Sequence, residues 1–151
     1  MTGRSRWRPA VFAGGLAVAA VVLSGCQKPS PAVTVQSGAR SVHRQAQCWA
    51  YSEQGAISSA TCTPSSGSAG QIIVSAGATI GISVDPTVAQ NGWYPLIDGT
   101  LLVRSPLRTT YYKTALDNTQ LTSDRLLTVT ALAADGRSVR GVWNFVLTPA
   151  S

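Results

Sequence analysis

The strongest constraint on this chain is a period of two. Leu127, Val129 and Ala131 alternate with polar or outward neighbours, and after Asp135-Gly136 the pattern resumes at Trp143, Phe145 and Leu147. Alternation at that period marks a strand with one buried face. An Asp-Gly pair between two such runs is a strong signal for a hairpin turn. A third run repeats the pattern, with Ile80, Ile82 and Val84 on one side and Thr79, Gly81 and Ser83 on the other. The expected core is therefore Ile80, Ile82, Val84, Leu127, Val129, Trp143 and Phe145.

Further strands follow from the turns between them. Val33 and Val35 alternate, Ser37-Gly38 turns the chain, and 41–43 and 48–51 are short strand candidates. Residues 58–70 are rich in Ser, Gly, Thr and Ala, a loop signature. Asp85-Pro86 ends the Ile80 strand, and Asn91-Gly92 leads into 93–97. Asp98-Gly99 predicts a hairpin into 101–103. Residues 109–114 read as another strand, 116–124 as a polar loop or helical turn, and Pro149 as the end of the last strand. Many short strands with regular turns predict an all-β domain, first an immunoglobulin-like β-sandwich and second a small closed β-barrel. No long amphipathic helix supports an α/β sheet.

The domain is preceded by a different kind of sequence. Arg4, Arg6 and Arg8 open the chain, and residues 11–23 hold no charge. That run has 13 residues, short of the roughly 18 that suggest a spanning helix. Val22-Leu23-Ser24-Gly25-Cys26 closes it. The layout is that of a signal peptide, and a Cys directly after Leu-Ser-Gly points to lipoprotein processing. Residues 1–25 are then a removed signal-peptide helix, and Cys26 carries the lipid through its thiol. An ordinary signal peptide or a short anchor is the alternative. Residues 26–32 follow as a Pro-rich tether, whose last six residues reach about 20 Å when extended. The domain is expected over 33–149.

Charge has to be read after this division. The whole chain carries 12 basic and 6 acidic residues, and three of the arginines lie in the leader. The rest is mildly positive, with scattered basic residues. A nucleic-acid surface needs them clustered, so no nucleic-acid partner is expected. The predicted location is the outer face of the cytoplasmic membrane, where a mild positive charge suits anionic lipid.

With Cys26 assigned to lipid, Cys48 and Cys62 remain. Export makes a disulfide between them the expected outcome. It closes a loop of about 15 residues and contributes about 3 kcal/mol in the chain-entropy account. A single His and no zinc-like ligand spacing leave no expected metal.

Several short stretches together carry a resemblance: Leu23-Ser24-Gly25-Cys26, Lys28-Pro29-Ser30-Pro31, Val84-Asp85-Pro86, Gly92-Trp93, Thr110-Tyr111-Tyr112 and Gly141-Val142-Trp143-Asn144-Phe145. The chain resembles an actinobacterial family of small secreted lipoproteins carrying a domain of unknown function. The resemblance implies an exported lipoprotein and transfers no catalytic residue or cofactor.

Catalytic chemistry finds little footing. His43 is the only His, without a Gly-x-Ser-x-Gly elbow to serve. Asp85, Asp98 and Asp135 sit in turn dipeptides, where Asp serves backbone geometry. Asp117 and Asp124 flank a loop, and Glu53 lies between the paired cysteines. No Asp-rich calcium loop or nucleotide-type Gly loop occurs. The chain reads as a non-enzyme, with a cell-wall hydrolase as the alternative. Two aromatic pairs, Trp93-Tyr94 and Tyr111-Tyr112, each put neighbouring rings on opposite faces of a strand. With Arg108 they form the candidate partner surface, suited to an envelope protein or polymer.

Overall fold

The computed structural model describes residues 28–52, 54–58, 62, 69–117 and 121–150. The expected leader helix and Cys26 lie outside them. Ten strands and one helical turn follow in order: β1 (Ala32–Ser37), β2 (Arg40–Gln45), β3 (Cys48–Trp49), β4 (Gly70–Val74), β5 (Thr79–Val84), α1 (Pro86–Ala89), β6 (Trp93–Ile97), β7 (Thr100–Leu101), β8 (Tyr111–Ala115), β9 (Arg125–Leu132) and β10 (Val139–Pro149). One sheet has the order β2-β1-β5-β8, and the other β3-β10-β9-β6-β7 with β4 also on β10. The fold is an all-β sandwich whose sheets stay open instead of closing into a barrel. Every pairing is antiparallel except β4 with β10.

The period of two does what a half-buried sheet requires. All seven expected core residues are buried: Ile80, Ile82, Leu127, Val129, Trp143 and Phe145 completely, and Val84 nearly so. Their register brings them into rows. Val129 lies between Trp143 and Pro95, and Leu127 between Phe145 and Ile97. In the facing sheet Val35 pairs with Ile82 and Val33 with Val84. Cross-strand neighbours of this kind are the unit that stabilises a sheet. Asn144 points away from the core. It is nonetheless covered, donating from Nδ2 to Gln47 Oε1 at 2.8 Å and accepting from Thr128 Oγ1 at 2.9 Å.

The turns follow their sequence signals. Asp98 and Gly99 both take positive φ, 46° and 79°, the pairing that a tight primed hairpin turn needs. Asp98 also accepts from Leu126 N at 2.8 Å and pairs with Arg125. Asp135 accepts from the backbone N–H of Arg137 and Ser138 and from the Ser138 hydroxyl. These bonds, the hydroxyl first, hold its carboxyl below the usual aspartate range.

Four expectations need correction. Gly70 belongs to β4, not to the loop, and the strand it opens pairs with β10 from Phe145 to Pro149. Pro149 does end β10, as expected; β9 already stops at the Leu147–Arg125 pair, so its missing N–H faces no partner there. The strand after Asp98-Gly99 is only Thr100–Leu101, and the strand expected at 109–114 runs Tyr111–Ala115. Ala32 already belongs to β1.

Candidate functional site

The predicted partner surface does not assemble. Trp93 is fully buried, its indole N–H donating to Thr109 O at 2.8 Å, so it is core. Tyr112 is half-buried and meets Trp93 edge-on at 6.4 Å. Of the four rings, Tyr94 and Tyr111 are left to face outward. Tyr94 is half-buried on β6, and Tyr111 is 45% exposed on β8, in the other sheet. The outer faces of a sandwich look in opposite directions, so these two rings cannot share a patch with the exposed Arg108. Each aromatic pair does split between an inner and an outer ring, as alternation demands.

His43 is exposed on β2, with Nδ1 at 3.0 Å from Thr34 Oγ1. No group of three His, Cys, Asp or Glu side chains suited to a metal occurs among the described residues. Within the same residues no helix is long and apolar enough to cross a membrane.

The chemistry gathers elsewhere, at the root of the tether. Pro31 O accepts from Ala46 N at 3.1 Å and from the buried indole N–H of Trp143 at 3.0 Å. Ala32 N donates to Asp85 Oδ2 at 2.7 Å, and Asp85 N returns a bond to Ala32 O at 3.1 Å. Asp85 stands at the N-cap of α1 but makes no side-chain cap there, because its carboxylate holds the tether. Four hydrogen bonds thus fix where the tether leaves the sandwich.

Beside that point lies a cleft of about 260 Å³, lined by the tether and by Trp49, Tyr51 and Arg140 among others. Its construction starts in β10. Between Val139 and Gly141 the strand gains one residue against β9, since Val139 faces Leu132 while Gly141 faces Ala131. Arg140 is the extra residue of this bulge. Strict alternation from Trp143 would send Arg140 to the wet face; a bulge re-aims it. It is 3% exposed. Its guanidinium covers the Trp49 ring at 4.4 Å and donates from Nε to Ala50 O at 3.2 Å. Trp49 in turn meets Trp143 at 5.9 Å. Gly141 makes this approach possible, because a Cβ there would come within 2.5 Å of the Trp49 ring.

Arg140 Nη1 is shielded from solvent and has no hydrogen-bond partner among the described residues. A desolvated cation over an aromatic face gains about 2 kcal/mol, while an unpaired buried donor costs about 1–3 kcal/mol. The corner is thus built around a cation whose hydrogen bonding is incomplete. Tyr51, 50% exposed, completes the aromatic wall.

A second, wider cleft of about 540 Å³ lies against the same two aromatics and is lined by both Cys48 and Cys62. These cysteines are paired as expected, their Cα atoms 5.8 Å apart, inside the range a disulfide spans. The bridge ties β3 to the segment after it and so steadies Trp49. Sequence reading missed Arg140, Trp49 and Tyr51 as a group. The available signal was Gly141, since a glycine inside a strand marks a bulge or a close approach.

No protein family, curated protein or solved structure matches the chain.

Proposed function

We propose that the protein is a membrane-anchored extracytoplasmic lipoprotein, held by lipid on Cys26, whose domain binds an envelope protein or polymer and is not an enzyme. Its resemblance to small actinobacterial lipoproteins agrees with this reading. One observation carries it: the aromatic cleft of Trp49, Tyr51 and Arg140 opens where the tether is pinned to the sandwich. Four residues separate Cys26 from Pro31, so the cleft stands within about 20 Å of the anchor. A binding corner there meets whatever lies at the membrane surface. Exposed Tyr beside Trp and Arg is the composition that partner surfaces favour.

Photo-crosslinking tests the reading. A photoreactive residue at Tyr51 should capture a discrete partner in the native membrane, while one at Lys113, on the outer face of the β2-β1-β5-β8 sheet, should not. Equal capture at both positions, or none at Tyr51, would overturn it. Replacement of Cys26 by Ser should release the protein from the membrane fraction.

A further inference from the structure

We propose that the cleft at the tether root is a site for a singly charged oxyanion of the phosphodiester kind, with Arg140 as its pole. This rests on the binding role just given and specifies the ligand. Arg140 has one edge engaged, through Nε on Ala50 O, while Nη1 has no partner among the described residues. A guanidinium presents its donors as a planar fork that matches phosphate oxygens. The face of the fork rests on Trp49, which fixes its plane.

The rest of the lining suits a monoanion. Lys28 adds a second positive charge, and Asp85, whose Oδ2 already takes Ala32 N, removes one. One net positive charge remains, enough for a phosphodiester and poor for a dianion. Ser30 and Thr87 offer hydroxyls, and the Tyr51 ring offers an apolar wall for the glycerol or sugar carbons beside the phosphate. Lys28 and Pro29 are exposed, so the tether side of the cleft meets solvent. The phosphodiester has two sources, an anionic lipid headgroup next to the anchor or a soluble glycerophosphodiester.

The test uses the full chain in nanodiscs of phosphatidylcholine. Glycerophosphorylglycerol is titrated, with glycerol as the neutral control, and the side-chain N–H signals of Arg140 and Trp49 are followed by NMR. Saturable shifts with the phosphodiester and none with glycerol are expected. Arg140→Gln should weaken binding at least about tenfold, since a charge-assisted fork is lost. Lys28→Gln, at an exposed position that cannot unfold the domain, should weaken it about two- to threefold. The Trp93 indole signal, held by Thr109 O, reports whether each variant keeps its fold.

Nanodiscs containing phosphatidylglycerol separate the sources. Shifts before any titrant is added identify the lipid headgroup; shifts with the soluble probe alone identify the other. The proposal falls if the wild type shows no saturable shift, or if folded Arg140→Gln and Lys28→Gln both bind as tightly as the wild type. Capture at Tyr51 together with no phosphodiester binding would leave the binding role standing and remove only this inference.

Discussion

From Trp143 to Leu147, β10 places every second side chain in an apolar interior, and Trp143 and Phe145 meet the buried Val129 and Leu127 on β9. From Val139 to Val142 the same strand carries a bulge, buries an arginine and receives a tryptophan against a glycine. The two stretches share a backbone and a neighbour. They differ in phase: one inserted residue turns a position of outward parity into a covered one. A regular ladder gives stability through shape, and the interrupted ladder gives a charged group a fixed place beside a cleft.

Substitutions should separate the two halves. The largest loss is expected for Phe145→Ala, which empties a fully buried site and should cost about 3–5 kcal/mol in denaturant unfolding. Removing the Cys48–Cys62 bridge by a double Ser substitution should cost about 3 kcal/mol, with the change appearing in unfolding midpoints under oxidising conditions only. Gly141→Ala should cost about 1–3 kcal/mol, because the new methyl drives Trp49 off the sheet. It should also quench or shift Trp49 fluorescence while leaving the Trp93 environment intact, which marks the damage as confined to the bulged half.

The smallest effect concerns the loop between β9 and β10. Hydrogen bonds hold the Asp135 carboxyl below the usual aspartate range, so its contribution is complete above the unfolded-state value and is lost as pH falls through the folded one. Asp135→Asn should lower the melting temperature slightly at neutral pH, and the difference from wild type should vanish in strong acid. A constant difference at every pH would show that the charge has no part in it.

The regular half was legible in the sequence and the interrupted half was not. Ile80, Ile82, Val84, Leu127, Val129, Trp143 and Phe145 announce themselves because burial on one face leaves alternation, a purely local record. The turns at Asp98-Gly99 and Asp135-Gly136 are local in the same way. β4 left no such record of its partner. Its neighbour on β10 is 75 residues away (Phe145 opposite Gly70), the pairing is parallel, and no turn joins them. The site is non-local as well: Trp49, Arg140 and the tether come from three separate stretches, and the bulge that unites them is a matter of count against β9. Trp93 was misplaced for a related reason. Alternation says that one ring of Trp93-Tyr94 is inside, yet it does not say that the inner ring of Tyr111-Tyr112 packs against the same spot from the opposite sheet.

The parallel pairing of β4 bears on how the chain reaches this state. β3 and β4 each have β10 as their ladder partner, and β9 has it on one side. β10 is the last strand among the described residues, so one sheet has no scaffold for its early strands until the final strand arrives. Folding dominated by such distant pairings is slow. The β1–β2 hairpin can form early, whereas β3 and β4 wait with unpaired edges, the condition under which chains associate with each other. Conditions that delay β10, such as truncation within 139–149, should therefore yield aggregates instead of a smaller folded domain.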